Sequence, residues 1–283
     1  GNNNITEVVT QIEGAGNLNQ SAKTIDSFAA ANTTYSSSES TTHTAKIGAY
    51  AEGGVSANAQ VQYGGPNASK PKSESGGGAG IRASYEYDNS KNSSSSSTAV
   101  TSGIRMGGSV NSTSSGKTTM EGTQIQAGKD VNLSASSLDY QAAKNTSSST
   151  SSDKSANASV GVDLVKKEVA VGVGYDGNKS SESSSTAVVG GISAGGNLNV
   201  NTTGDTRFEG TQLAAGGAAS VDAGGNVKFD AAKNTASAHS EGVGVDVQAS
   251  GGKSGGAGSA AVNVTKSNYS LDQDVAGSIT SGS

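Results

Sequence analysis

Two histidines and a repeated acidic motif are the parts of this chain best suited to chemistry. His43 and His239 each lie five residues before a glycine, so they look like equivalent positions of one repeat. Neither has a nearby pattern of acidic residues that resembles a metal site. The chain has no cysteine, which excludes thiolate metal sites, disulfides and a cysteine nucleophile. We therefore expect both histidines on the surface, and we expect no metal and no cofactor.

The motif hydrophobic-Glu-Gly-Thr-Gln occurs twice, at residues 120–124 and 208–212. A glycosidase needs two carboxyl groups at short distance, but Glu121 and Glu209 stand a whole repeat apart. We expect these motifs at corners of the fold, where Glu and Gln exchange hydrogen bonds with the backbone and Gly makes the turn. A second repeated motif, AAKNT, supplies one asparagine per copy. The predicted structural residues of the repeat are Glu121, Gly122, Thr123, Gln124, Asn145, Glu209, Gly210, Thr211, Gln212 and Asn234.

Other catalytic and binding signals are weak. With 49 serines no single one stands out as a nucleophile, and no Gly-x-Ser-x-Gly motif occurs. The 24 acidic and 19 basic residues form no basic cluster, which argues against nucleic acid as a partner. We predict that the chain is not an enzyme.

The chain repeats itself over a long period. Residues 93–128 and 181–216 align without gaps at an offset of 88, with 20 identities in 36 positions. Residues 10–33 match 123–146, and 276–283 resemble the start of another copy. The whole of 1–283 is therefore predicted to be a single repeat region.

A period of 21 residues lies inside each long repeat, between the glycine-containing turns at 106 and 127 and those at 194 and 215. Each turn precedes a stretch in which polar residues alternate with valine or leucine, which predicts a short strand. Stacked coils of about 20 residues predict an all-β fold, a parallel β-helix solenoid. The coil blocks are placed at about 5–33, 98–146, 186–235 and 271–283. The predicted interior residues are Val110, Met120, Ile125, Val131, Leu133, Leu138, Leu198, Phe208, Leu213, Val221, Val227 and Phe229.

The composition lies close to that of disordered chains. Leu, Ile, Val and Phe total 43 of 283 residues, about 15 %, where values below about 20 % are typical of disorder. The net charge of −5 is not the high net charge that disorder usually adds. A stacked coil needs only a thin core, so the composition fits a solenoid.

Three variable segments separate the coil blocks, at about 34–97, 147–185 and 236–270. Each begins in Ser/Thr-rich sequence and continues with two alternating stretches, and this pattern predicts a two-stranded β-hairpin. In the first segment the paired stretches would be 55–63 and 81–87. An isolated hairpin is marginal in water, so we expect the hairpins to pack on the solenoid or on each other. Flexible chain is expected around 64–78, 89–97, 147–156, 178–185 and 250–258.

Alternation of aliphatic residues with glycine or polar residues is also typical of membrane β-strands. Tyr63, Tyr85, Tyr87 and Tyr175 fall near the strand ends, where an aromatic girdle would stand. A water-exposed hairpin with one face against the coil is the simpler expectation. Insertion of the hairpins at a target membrane is the alternative.

Segments 116–133, 191–200, 204–217 and 224–237 resemble the haemagglutinin-repeat region of filamentous-haemagglutinin-like exoproteins from Gram-negative two-partner secretion systems. More closely, coil blocks that end in AAKNT and alternate with Ser-rich insertions are similar to the second repeat region of contact-dependent growth-inhibition toxin-delivery proteins. The resemblance implies a right-handed parallel β-helix on the bacterial surface. It also implies a larger parent with an outer-membrane secretion partner and often a C-terminal toxin, and it brings no catalytic residues.

The function that the resemblance implies is a non-catalytic repeat module of a large secreted surface protein. It would contact the membrane or an outer-membrane component of a target cell and help to deliver the toxin across that outer membrane. An adhesin stalk that binds host or neighbouring-cell surfaces is the alternative. A polysaccharide-acting β-helix enzyme would require acidic side chains clustered on one face of the coils.

Overall fold

The structure is a computed structural model that describes residues 3–51, 55–64, 79–253 and 255–282. Within these ranges the chain forms strands and turns and no helix. The described part therefore has no helical segment long and apolar enough to cross a membrane.

Short strands form the coils, and strands of up to 22 residues form the insertions between them. The first part of the chain contains β1 (Ile5–Val8), β2 (Gln11–Gly14), β3 (Leu18–Ala22), β4 (Ile25–Phe28), β5 (Ala30–Ala51), β6 (Val55–Gly64) and β7 (Gly80–Val100). The middle part contains β8 (Gly103–Met106), β9 (Val110–Ser114), β10 (Lys117–Glu121), β11 (Gln124–Ala127), β12 (Val131–Ala135), β13 (Ser137–Gln141), β14 (Ala143–Asp163) and β15 (Glu168–Val188). The last part contains β16 (Gly191–Ala194), β17 (Leu198–Thr202), β18 (Thr206–Glu209), β19 (Gln212–Ala215), β20 (Ala219–Ala223), β21 (Val227–Asp230), β22 (Ala232–Gly252), β23 (Gly255–Val275) and β24 (Ser278–Ser281).

Three parallel sheets make up the coils, and the chain visits them in turn. The first coil sheet has the order β1-β4-β10-β13-β18-β21, the second β2-β8-β11-β16-β19-β24 and the third β20-β17-β12-β9-β3. Gln124 pairs with Gly103, and Val131 with Val110, each 21 residues earlier. The all-β fold and the parallel pairing of the coil strands are therefore confirmed, and the topology is that of a β-helix-type repeat.

The core lies between the coil sheets and is filled by alternate residues of each strand. Most of the predicted interior residues are buried, namely Val110, Met120, Ile125, Val131, Leu133, Leu138, Leu198, Phe208 and Leu213. The prediction is wrong for Val227 and Phe229, which are 42 % and 49 % exposed, and Val221 is only partly buried. These three residues lie in β20 and β21, the terminal strands of their sheets in the described chain, so no further coil covers them.

Asparagines stack along the outside of the third coil sheet. Asn19, Asn111, Asn132 and Asn199 occupy one register position in four successive strands. Each amide Nδ2 donates to the Oδ1 of the asparagine before it, at 2.8 Å in all three cases. This ladder adds polar cohesion between coils whose apolar core is thin.

After every second coil the chain leaves the stack as a long hairpin, which we call an arm. The first arm is β5–β7, the second β14–β15 and the third β22–β23. The arms begin at residues 30, 143 and 232 and end at 100, 188 and 275. Together they form one seven-stranded antiparallel sheet, the arm sheet, with the order β23-β22-β15-β14-β7-β5-β6.

The serine-rich stretches are strands, contrary to the flexible chain expected there. Residues 89–97, 147–156 and 178–185 lie inside β7, β14 and β15, and each has a paired strand on both sides. Hydroxyls of neighbouring strands lie 2.8 Å apart in Ser95–Ser148, Ser147–Ser184 and Ser183–Ser237. Two neighbouring strands satisfy every backbone group, which composition alone does not reveal.

The first arm also differs from the predicted hairpin. Residues 55–63 and 81–87 were expected to pair with each other, but both pair with β5, on its opposite edges. The outer half of β5, Thr42–Ala51, separates them because β5 continues to the end of the arm. The predicted tip at 64–78 lies outside the described residues except for Gly64, the last residue of β6, and so does the side chain of Tyr63.

Candidate functional surface

The Glu-Gly-Thr-Gln corners lie where the arms leave the coils. Gly122 and Gly210 both have φ of 60°, a conformation that L side chains rarely adopt. A Cβ on Gly122 would lie 2.9 Å from the Cβ of Ala143 at the start of β14. A Cβ on Gly210 would lie 2.8 Å from that of Ala232 at the start of β22. The glycine of the motif therefore makes the turn and leaves room for the root of the next arm, by which we mean the residues where the arm joins the coils.

The first corner ties together segments that are far apart in sequence. The carboxylate of Glu121 accepts a hydrogen bond from the backbone N–H of Ala29, just before the first arm, at 3.2 Å. The hydroxyl of Thr123 is fully buried and donates to the Ser27 hydroxyl at 2.9 Å. The corner thus holds the coil before the first arm against the coil after it.

Gln124 bridges from its own coil to the next one. Its Nε2 donates to the carbonyl of Val189 at 3.0 Å. Its side chain lies over Gly191, where a Cβ would come within 2.9 Å of Gln124 Oε1. Gln212 holds the equivalent place in β19, but its paired residue in β24 is Ser278 rather than glycine. Gln124 therefore contacts the next coil at a glycine, whereas Gln212 has a serine in that place.

The second corner contains a group of ion pairs that the sequence analysis missed. Arg207 contacts the carboxylates of Asp139 at 3.3 Å, Glu209 at 3.0 Å and Asp230 at 2.8 Å. Thr211 is buried and donates to the carbonyl of Glu209 at 3.3 Å. Asp139 and Asp230 come from the strands on either side of β18, so no local sequence pattern brings them to Arg207.

The charges around Arg207 favour the ionised forms of Asp139 and Asp230. Burial alone would raise the pKa of Asp139, but hydrogen bonds from Lys117 and Arg207 lower it below its ordinary value. Hydrogen bonds from Arg207 and Lys228 lower the pKa of Asp230. A glycosidase needs one carboxyl group whose pKa is raised, so that it can donate a proton. This acidic cluster therefore suits an ion-pair network across coils better than acid–base chemistry.

The AAKNT asparagines hold neighbouring arms together at their roots. Asn145 Oδ1 in β14 accepts a hydrogen bond from the backbone N–H of Ala99 in β7, at 2.7 Å. Asn234 Oδ1 in β22 accepts the equivalent bond from Ala187 in β15, at 2.8 Å. The backbone ladder between these strands starts one residue further along β14 and β22. Each asparagine therefore continues the ladder at the point where the two arms diverge into the coils.

The two histidines lie on the arm sheet with separate partners. His43 Nδ1 lies 2.6 Å from the hydroxyl of Tyr85. His239 Nδ1 lies 2.5 Å from Asn268 Oδ1, and its Nε2 lies 3.7 Å from the carboxylate of Glu241. In the part of the chain that the structure describes, no three His, Asp or Glu residues are grouped as metal ligands would be.

The outer half of the arm sheet has one apolar face. The cross-strand registers place Tyr85, Ala158, Val173, Val247 and Ala260 in a single row across five strands. The apolar arm face comprises Ala45, Ile47, Ala49, Ile81, Ala83, Tyr85, Tyr87, Ala156, Ala158, Val160, Val162, Val169, Val171, Val173, Tyr175, Val243, Val245, Val247, Ala249, Ala260, Val262 and Val264. The alternating stretches of all three variable segments thus form one continuous surface.

This face is open to solvent. Val160, Val171 and Val264 are 44 %, 49 % and 71 % exposed. The opposite side of the same strands carries polar or small residues such as Ser159 and Gly172. Single apolar residues are common on protein surfaces, but a contiguous patch across six strands marks a contact surface.

Comparison with known proteins places the chain in a family. The hemagglutinin repeat matches at residues 83–245 and again at 171–281, with starts 88 residues apart, the offset of the long internal repeat. A hemolysin of Serratia marcescens is 33 % identical over 159 residues, and the alignment covers 54 % of this chain and 10 % of that protein. The chain thus matches about a tenth of this relative's length, and no solved structure matches it. Since the repeat matches cover more than half of the chain, it belongs to the hemagglutinin repeat family.

Proposed function

We propose that this chain is a non-catalytic repeat module of a large secreted protein on the bacterial surface. In this proposal the coils form a stalk and the arms present their sheet to a target cell. The observation that carries the proposal is the apolar arm face, which stands outside the core of the coils and is exposed in the single chain. Membership of the hemagglutinin repeat family and the hemolysin relative support a secreted or surface-exposed exoprotein of the two-partner-secretion type.

A narrower part of the proposal is delivery of a C-terminal toxin. The arms would act at the outer membrane of the target cell, or on a component of it, while the toxin crosses. An apolar face made of alternating strand residues supports this role, because a sheet that meets lipid needs one apolar side. The full-length protein would reach the surface through an outer-membrane secretion partner.

The coil is proposed to be right-handed. Connections between parallel strands of one sheet are right-handed in nearly all proteins. Each turn of this coil is such a connection, because a strand pairs in parallel with its equivalent one turn later. An experimental structure of the coils would test the hand.

The test of toxin delivery uses the full-length exoprotein in its own bacterium. Residues 147–185 are replaced by a short Gly-Ser turn, which removes the second arm above Asn145. Surface display, measured by flow cytometry, is expected to persist, and inhibition of target cells in co-culture is expected to fall at least tenfold. Lys228→Gln, on the coil surface, is the control that should leave inhibition unchanged. Full inhibition by the arm-deleted protein would contradict the proposal.

An adhesin stalk is the second candidate. The rows of hydroxyls on the inner half of the arms favour it, for instance Ser93 with Thr150 at 2.8 Å, because flat polar surfaces can hydrogen-bond to cell-surface polymers. In that case the same deletion abolishes attachment of the bacterium to other cells. Attachment without inhibition in the unaltered protein would favour the adhesin over toxin delivery.

A further inference from the structure

The apolar arm face has the size of a stable protein interface. Its 22 residues lie in six strands about 4.8 Å apart, and residues on one side of a strand follow each other at about 6.8 Å. Each residue therefore covers about 33 Å² and the face about 720 Å², and a standard interface buries about 800 Å² on each partner. The face is large enough to support a lasting contact by itself.

The face can also be buried without leaving a charge unpaired. None of its defined residues is charged, and Val and Ala account for most of it. The nearest lysines stand at its borders: Lys154 lies in the cross-strand row of Val243 and Val264, and Lys166 and Lys167 lie in the turn beyond Val169. The lysine ammonium groups can stay in water at these borders. Burying a charged group without a partner costs several kcal/mol or more and would oppose docking, and the defined residues of this face include no such group.

The side-chain chemistry favours another protein sheet over lipid. Small and β-branched side chains interdigitate well when two sheets pack face to face at about 10 Å. Lipid interfaces favour Trp and Tyr at their borders, but the chain has no Trp, and its three Phe all lie in coil strands. Only one border of the face carries tyrosines, among them Tyr87 and Tyr175.

A second copy of the chain supplies a matching sheet. The same face on two copies is complementary to itself in an isologous contact around a two-fold axis. An arm strand of 21 residues extends about 70 Å, and the apolar face occupies only its outer part. If the arms point in opposite directions, the outer halves overlap while the two coil stacks stay at opposite ends.

We propose that the apolar arm face is the interface of a homodimer, in which the arm sheets of two copies pack face to face with their coils at opposite ends. The contact covers the face in solution. It goes beyond the proposed function, which concerns the arms at the target cell, where this contact would have to open.

The oligomeric state of the purified chain tests this proposal. Light scattering after size-exclusion chromatography should give about 55 kDa, twice the chain mass of 27.6 kDa. Val171→Lys places a charge near the centre of the face and should give the monomer mass. Ala170→Lys, the next residue on the opposite side of β15, is the matched control and should stay dimeric.

A crosslinking experiment covers the case in which Val171→Lys fails to fold. The chain has no cysteine, so Val171→Cys and Ala170→Cys each introduce a single thiol. A short bis-maleimide should join two copies through Cys at position 171 and not through Cys at position 170. Equal crosslinking of the two variants would overturn the face-to-face contact.

Flotation with phosphatidylethanolamine–phosphatidylglycerol vesicles identifies any other occupant. A monomeric chain that floats with vesicles, and loses flotation in Val171→Lys, would mean that lipid covers the face. A monomeric chain that does not float would mean that the face stays open. Both results overturn the dimer, and neither changes the co-culture result that tests the proposed function.

Discussion

A single buried ring positions the first Glu-Gly-Thr-Gln corner. Tyr140 is fully buried, and its hydroxyl donates to the carbonyl of Thr123 at 2.5 Å. Burial raises the pKa of Tyr140, so the phenol stays protonated as this donor. A Cβ on Gly190 would fall 2.3 Å from the ring. Gly190, which lies outside the corner, is therefore needed to make room for the Tyr140 ring that holds the corner in place.

At the same scale, Gly122→Ala should destabilise the protein strongly. The left-handed backbone costs an L-residue about 1–2 kcal/mol, and contact of the new Cβ with Thr101 and Ala143 adds to this, for a total of about 2–4 kcal/mol. Gly16→Ala is the control, since a Cβ there meets nothing within 4 Å. Urea denaturation monitored by circular dichroism measures both, and equal losses would contradict the role given to Gly122.

Arg207→Gln should reduce stability in a pH-dependent way. The pair with Asp139 is expected to contribute about 0.2–1 kcal/mol near pH 7, the usual range for an exposed ion pair, and the other two pairs add to it. The folded-state pKa values of Asp139 and Asp230 are lowered, so their contribution is complete above the unfolded value of about 3.9. It disappears as the pH falls through the folded values.

The measurement for Arg207→Gln is urea denaturation at several pH values. The stability difference between the two proteins should be constant from pH 5 to 7 and should shrink below about pH 4. It should also shrink in high salt. A difference that stays constant to pH 2 would mean that Arg207 stabilises by packing and not by its ion pairs.

At the scale of elements, the arms fit together because their spacing matches that of the coils. An arm leaves the stack after every second coil, and two coils occupy about 9.6 Å along the stack, twice the strand spacing. The second and third arms each contain two strands, which together are as wide as two coils. Successive arms therefore lie side by side and pair edge to edge. The spacing of the coils therefore places the arms at the distance that pairing within one sheet requires.

Asn145→Ala should loosen one arm root and leave the other intact. It removes one side-chain acceptor, worth about 1 kcal/mol. Hydrogen exchange should show faster exchange of the Ala99 amide, which Asn145 binds. The Ala187 amide, held by Asn234, is the control within the same molecule. Asn145→Asp keeps an acceptor and should keep the Ala99 amide protected from exchange. Unchanged exchange of this amide in Asn145→Ala would contradict the role given to Asn145.

At the scale of the whole molecule, the position of a residue in the stack of coils decides how much it contributes to the free energy of unfolding. Phe208 and Phe229 are paired in register and stacked with ring centroids 5.1 Å apart, but only Phe208 is buried. Phe208→Ala should therefore cost about 3–5 kcal/mol. Phe229→Ala should cost about 1 kcal/mol, close to the worth of the ring contact. Thermal and urea unfolding of both variants measure this, and similar losses would show that Phe229 is covered in solution.

The sequence predicts the coil well because its information is local and repeated. Alternation shows which side of each strand is apolar, and the 21-residue period shows which strands are equivalent. Val110 and Leu198 could be assigned to the core for this reason, and both are buried. The hydrophobic-Glu-Gly-Thr-Gln motif likewise marks Gly122, although not the arm root that its turn accommodates.

The tertiary structure alone decided which long strands are neighbours. Alternation predicts an apolar side for 169–175 and for 243–247, but it does not show that these sides are continuous. The partners of Asn145 and Arg207 and the exposure of Phe229 also depend on the stacking of coils. The physical reason is that periodicity fixes the direction of a side chain relative to its own strand, whereas contact between strands depends on where the stacked coils place the arm roots.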